Sequence, residues 1–256
     1  MRRLGRATRS LSGLSKARLK QEIRERVWRR LEDEGLAAFP RPVQGRIPNF
    51  LGAKEAAARL AASPEYRRAF CVKVNPDAPQ APVRRRVLED GKVLVVATPR
   101  ISQGFLVLDP RRIPRNSFAE AATISGAFKH GLKTHPRNLP GIDLFVAGSV
   151  AVSPEGWRVG KGEGYSEIEY AMLRMIGKVS EETPVSTTVH DAQVVDYIPS
   201  EPYDLPVDVI HTNTKTIVCP KNKKPEGIIW SMLPEEKIRA IPLLSELRGD
   251  VSAGLA

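Results

Sequence analysis

From Ser15 onward, apolar side chains recur at every fourth position (Leu19, Ile23, Val27, Leu31), with Trp28 beside them. That spacing lays one apolar stripe along a helix, with Ser15 as its N-cap and Gly35 as its stop. Lys20 and Arg24 stand four apart on the same helix, so both point along one flank. A proline-punctuated loop, "PRPVQGRIPNFLG", follows, and then a short helix of strong formers over Ala53–Ser63.

The pattern then changes to short continuous apolar runs separated by helical stretches. "AFCVKV" (Ala69–Val74), "KVLVVATP" (Lys92–Pro99), "FLVLDP" and "PVSTTVH" (Pro184–His190) read as buried strands. "IDLFVAGSVAVS" (Ile142–Ser153) is the longest such run and is expected to be one central strand. "VDVIHT" and "KTIVC" are expected to close an edge, with "GIIW" near the end. The turn-rich "NPDAPQAP" leads into a helix, "VRRRVLEDG", that stops at Gly91, and "SEIEYAMLRMIG" is a further helix. Apolar strands alternating with helices predict an α/β fold, with a mostly parallel sheet covered by helices on both faces in three α/β/α layers.

Composition narrows this picture. The chain of 256 residues is 41% apolar, enough for a sizeable core. It has no apolar run of about 18 residues, so no membrane span is expected. Cys71 and Cys219 lack metal-type spacing, which points to a reducing compartment, the cytoplasm, and to no disulfide scaffold. The formal charge of +11 is concentrated at the start, where residues 1–30 hold eleven Lys/Arg against Glu22 and Glu25. Residues 1–14 are therefore expected to be a basic arm, residues 15–250 one α/β domain, and residues 251–256 a frayed tail. The arm is Arg- and Ser-rich like a transit peptide, but it lacks the apolar core of a secretory signal.

The candidate chemistry lies in "RVGKGEGYSEIEYAML", Arg158 to Leu173. Alternating glycines at the mouth of a helix let backbone amides converge on an anion, and the helix N-terminus adds partial positive charge. Lys161 supplies a point charge and Arg158 a forked donor. The spacing fits neither a Walker loop, since Lys161 is followed by Gly162, nor the dinucleotide fingerprint. On pattern alone, a phosphate cradle and a plain glycine-rich turn both remain open. Glu163 suits a phosphate only by pointing away, or by meeting a hydrogen-bonding part of the ligand.

These residues resemble the 5-formyltetrahydrofolate cyclo-ligase family. "FVAGSVAVSPEGWRVGKGEGYSE" keeps that family's strand, turn, Arg158, Gly160, Gly162, Gly164 and Tyr165. "VHDAQVVDYIPSEPYDLPVDVIHT" is similar to its later strand and acid-bearing turn, and Lys20 with Arg24 repeats its Lys-x-x-x-Arg start. "GRIPNF", "PDAPQAPVRRRVL" and "VHDAQVVD" resemble most the branch called methenyltetrahydrofolate synthase domain-containing proteins. The resemblance implies a Rossmann-like sheet of the NagB/RpiA/CoA-transferase kind with the N-terminal helix packed on it.

It also implies ATP- and Mg²⁺-dependent closure of a formyl group on a reduced folate or related pterin. The formyl oxygen takes the γ-phosphoryl, N10 attacks the activated carbon, and phosphate leaves, giving 5,10-methenyltetrahydrofolate and ADP. On this resemblance Lys20, Arg24, Arg158, Gly160, Lys161, Gly162, Glu163, Gly164 and Tyr165 surround ATP. Glu167 and Asp204 hold Mg²⁺, and Asp77, Tyr165 and Ser166 meet the pterin. Three positions depart from the family pattern. Ser166 replaces a second Tyr, Glu167 lengthens an Asp, and Asp77 stands where the pterin-holding Glu is expected.

Other readings of the same residues compete. Lys20 and Arg24 also read as a solvated helix face, and Asp204 as a turn former. His190 beside Asp191 reads as a core or orienting histidine, and His130, His135 and His211 have no ligand spacing. A nucleotide-binding or RNA-associated protein without cyclo-ligase activity is the alternative function, with RNA met through the basic arm. A sugar-phosphate isomerase rests on fold analogy alone. A monomer is expected.

Overall fold

The structure, a computed structural model, describes residues 15–252. In chain order the elements are α1 (Lys16–Asp33), α2 (Ala53–Ala62), α3 (Pro64–Arg68), β1 (Cys71–Val74), α4 (Ala81–Glu89), β2 (Val93–Ala97), β3 (Phe105–Leu108), α5 (Phe118–Ala121), α6 (Ile124–His130), β4 (Leu132–Thr134), β5 (Leu144–Ala147), β6 (Ala151–Val152), β7 (Arg158–Val159), α7 (Tyr165–Met175), β8 (Val185–Thr188), β9 (Val209–His211), β10 (Thr216–Val218), α8 (Glu235–Ala240) and α9 (Pro242–Ser252). The basic arm at 1–14 lies outside the described residues, as does most of the tail expected at 251–256; α9 extends into the rest.

The strands of the main sheet run in the order β10-β9-β8-β5-β1-β2-β3-β4. Pairing is parallel from β9 through β8, β5 and β1 to β2, and antiparallel at β10, β3 and β4. Successive strand side chains face opposite sides of a sheet. Val93, Val95 and Ala97 accordingly share a core with α7, α8 and α9, while Leu94 and Val96 share one with α2 through α6. Both faces are covered, which is why these strands read as unbroken apolar runs rather than alternating ones.

Three expectations need correction. The run Ile142–Ser153 is not one strand. β5 is central, but the chain leaves the sheet at Gly148, and Ala151–Val152 pairs instead with Arg158–Val159 in a separate two-stranded ribbon. The turn position is held to glycine, because a Cβ at Gly148 would lie 2.9 Å from Asp77 Oδ2 and 3.0 Å from Gln80 Oε1. The glycine loop therefore follows this ribbon and not the central strand directly. Nor does α1 pack on the main sheet. Its stripe Ile23, Val27, Trp28 and Leu31 packs on Val150, Ala151 and Val159 of the ribbon region. Its start is as the sequence predicts, with Ser15 Oγ accepting from the Arg18 N–H. "GIIW" forms no strand; Trp230–Met232 is a short 3-10 turn leading to α8.

Candidate functional site

Gly164 caps α7 with φ +72°, and Gly162 has φ +107°, backbone conformations that a side chain disfavours. Between them and α1 lies a cavity of about 440 Å³. It is lined by Lys20, Arg24, Arg158, Gly160, Lys161, Gly162, Glu163 and Gly164, which are eight of the nine residues expected around ATP. The ninth, Tyr165, lines an adjoining cavity of about 260 Å³ together with Asp77 and Ser166. Glu167 and Asp204, the two acids expected to hold a cation, line the larger cavity together.

The solvated-face reading of Lys20 and Arg24 fails. Lys20 is 7% exposed, and its Nζ lies 2.5 Å from Asp204 Oδ2. Arg24 is half-buried and donates from Nε to the Gly160 carbonyl at 2.7 Å, which ties α1 to the glycine loop. Burial lowers the Arg24 pKa, and the charges of Glu167 and Asp204 oppose that shift. Asp204 both shapes a turn, accepting from the Glu201 N–H at 2.7 Å, and lines the cavity. Burial raises its pKa, against the pull of Lys20.

Arg158, 2% exposed, lies at the wall between the two cavities. It donates from Nη1 to the Gly148 carbonyl at 3.0 Å and from Nη2 to Glu167 Oε1 at 2.7 Å. Its Nε–H is buried without a partner among the described residues. Lys161 is more exposed and pairs with Glu163 at 2.7 Å. The acids of the cavity are thus each matched by a cation. Arg24 hydrogen-bonds only neutral acceptors among the described residues, so positive charge is left over for an anion.

Under the smaller cavity lies a polar chain that sequence reasoning missed. Lys73, fully buried on β1, donates to Glu169 of α7 and, at 2.5 Å, to Asn75 Oδ1. Asn75 Nδ2 donates in turn to Ser166 Oγ at 2.5 Å. A lysine inside the apolar run "AFCVKV" was the available signal, since a buried charge requires a partner. Burial raises the Asp77 carboxyl pKa, opposed by Lys161, Arg84, Lys73 and Arg158 in that order. Lys237, also unforeseen, donates to the Glu163 carbonyl and sits 4.8 Å over the Tyr165 ring.

His190 plays a structural part. His190 Nδ1 accepts from the Ala192 N–H at 3.0 Å, capping a 3-10 turn. Among the described residues no group of three or more His, Cys, Asp or Glu could hold a metal by itself. Magnesium does not need one, because it is commonly held by one or two carboxylates plus substrate phosphates and waters. Glu167 and Asp204, both oxygen donors on one cavity, fit that role.

The fold and these cavities define a mixed α/β protein with a cation-lined glycine-loop cleft at the carboxyl ends of its parallel strands. The profile of the 5-formyltetrahydrofolate cyclo-ligase family matches residues 15–213, and the chain belongs to that family. It is 45% identical over 236 residues to the methenyltetrahydrofolate synthase domain-containing protein of Bos taurus, covering 90% of this chain and 62% of that one. The Homo sapiens protein of the same name is 44% identical, with 90% and 61% covered. The chain thus spans about three-fifths of the length of these relatives. The solved 5,10-methenyltetrahydrofolate synthetase of Aquifex aeolicus superposes with a TM-score of 0.48 at 18% identity, covering 82% of this chain and 98% of that one. No helix among the described residues is long and apolar enough to cross a membrane.

Proposed function

We propose that this chain is an ATP- and Mg²⁺-dependent cyclo-ligase that converts a 5-formylated reduced pterin to the 5,10-methenyl product, with ADP and phosphate released. The observation that carries this reading is the shared wall of the two cavities. Arg158, Gly160, Lys161, Glu163, Gly164 and Glu167 line both. A γ-phosphoryl group at that wall faces the nucleotide on one side and the formyl oxygen on the other. Family membership and the name borne by the bovine and human relatives support the same chemistry.

Phosphoryl transfer asks a protein mainly for positioning and charge neutralisation. Arg24 and Lys161 meet the phosphates, with the amides of the Gly160–Gly164 loop around them. The partnerless Nε–H of Arg158 is a donor for a transferring oxygen. Glu167 and Asp204 hold the magnesium ion, which when bound neutralises phosphate charge. The Asp77 carboxylate accepts hydrogen bonds from the pterin amino group, and Tyr165 and Ser166 line the same cavity. Residues 15–250 act as one domain whose sheet is of the NagB/RpiA/CoA-transferase kind, working as a monomer in the cytoplasm.

The test is direct. Full-length protein with 5-formyltetrahydrofolate is expected to develop the methenyl absorbance only when both ATP and Mg²⁺ are present. If no chromophore forms with several reduced pterins, the catalytic reading is lost. Salt-dependent RNA binding that disappears on deleting residues 1–13 would then favour the alternative.

A further inference from the structure

A third cavity, of about 180 Å³, opens on the far side of the glycine loop. Gly162, Glu163, Gly164, Glu167 and Tyr203 line both it and the 440 Å³ cavity, so the two adjoin. Its inner wall is Ile168 and Ala171 of α7; its outer wall is the segment Pro225–Lys237, with Ile229 and Met232 facing in. That segment lies beyond residue 213, where the family match ends. Pockets that take a whole small molecule span about 300–1,000 Å³, so this slot suits one flat ring system.

The slot is built rather than incidental. The outer segment is anchored at one end by Gly227, where a Cβ would lie 2.8 Å from Met175 Cγ, and by the Ile228 N–H donating to Met175 Sδ at 3.5 Å. At the other end Lys237 is tied to the Glu163 carbonyl, and Ile238 and Ile241 are buried in the core. Between these anchors Met232 stays 48% exposed, and across the slot Tyr203 is 40% exposed, which leaves apolar and aromatic surface for a planar ligand to cover.

We infer that this slot holds the purine base of the nucleotide whose phosphates lie on the glycine loop, so that a C-terminal segment outside the family match sets base recognition. The inference rests on the Mg-ATP reading given above. It also accounts for Glu163, an acid poorly suited to a phosphate site. Glu163 lines the slot, and its carboxylate, which pairs with Lys161 at 2.7 Å, is an acceptor that matches the exocyclic amine of adenine and opposes the carbonyl of guanine.

The experiment compares binding of Mg-ATP, Mg-GTP and Mg-tripolyphosphate to the full chain by calorimetry. The wild type is expected to bind ATP more tightly than GTP, and both more tightly than tripolyphosphate. Ile229→Trp, which fills the slot, is expected to weaken ATP by about tenfold or more, the scale of one lost buried ring contact, with tripolyphosphate unchanged. Met232→Ala, at an exposed position that tolerates truncation, is expected to do the same to a smaller degree. Retained tripolyphosphate binding shows that each variant is folded. Equal losses for ATP and tripolyphosphate, or no loss in either variant, overturn the base slot and leave the phosphate site standing. A wild type that binds none of the three overturns both.

Discussion

Lys20 Nζ lies 2.5 Å from Asp204 Oδ2, joining the first helix to a turn 184 residues later. Both side chains are about nine-tenths buried, so neither charge has ready access to water. The pair fastens α1 to the turn at Asp204 and places an acid in the cavity beside Glu167. Removing one partner of a buried pair costs about 3–5 kcal/mol, because the other charge is left uncompensated. Lys20→Met is therefore expected to lower stability by that order in denaturant unfolding. The double variant Lys20→Met/Asp204→Leu is expected to recover most of the stability but no methenyl-forming activity, since one of the two acids proposed to hold Mg²⁺ is then gone.

Lys161 separates binding chemistry from folding. Its ammonium is part-exposed and pairs only with Glu163 among the described residues. Lys161→Ala is expected to change stability by less than about 0.5 kcal/mol, as exposed substitutions usually do. Turnover is expected to fall by about 10²-fold or more, the usual scale for a lost transition-state charge contact. Parallel thermal melts and methenyl absorbance assays check the two halves, and an unchanged rate would remove Lys161 from the site.

Gly148 tests the pterin side alone. A Cβ there would meet Asp77 Oδ2 at 2.9 Å, Gln80 Oε1 at 3.0 Å and Ile47 Cγ2 at 3.2 Å. Since the nearest atom is the end of the Asp77 side chain, Gly148→Ala is expected to displace that carboxylate, at an overpacking cost of about 1–3 kcal/mol. The KM for the pterin substrate should rise while the affinity for Mg-ATP stays within about twofold. A loss confined to ATP affinity would contradict the assignment of the two cavities.

His211 gives the fold an acid limit. It is fully buried, and burial pushes its pKa down from 6.5 to about 4. Glu65 Oε1, at 3.8 Å from Nε2, is too far for a hydrogen bond, and neither atom has another partner among the described residues. As pH falls below 6.5 the unfolded chain takes up a proton that the folded chain refuses. The stability is thus complete above pH 6.5 and drains away towards pH 4, by up to about 3 kcal/mol from linkage. Chemical denaturation between pH 7 and 4 measures the slope, and His211→Phe is expected to flatten it. An unchanged slope in the variant would assign the acid sensitivity to other groups.

Much of this was legible in one dimension because it depends on local spacing. The four-residue stripe from Leu19 to Leu31, the apolar runs of β1, β2, β5 and β8, and the glycines before α7 each encode a conformation within a few residues of themselves. The cluster of cations and acids at the cleft was legible too, through the family resemblance, and the structure brings those residues onto two adjoining cavities. What no local pattern carried was contact between distant segments. The break after β5 lets Ala151–Val152 pair with Arg158–Val159, and the glycine at 148 is required by Asp77 and Gln80, some seventy residues earlier, which leave no room for a Cβ. The partner of buried Lys73 is Glu169, on a different element. Residues 225–237 wall the third cavity because Ile228 meets Met175, Lys237 meets Glu163, and Ile238, Ile241 and Leu244 bury themselves in the core. Periodicity reports which face of an element is apolar; which other element meets that face, and which charges it brings along, is decided when the chain packs.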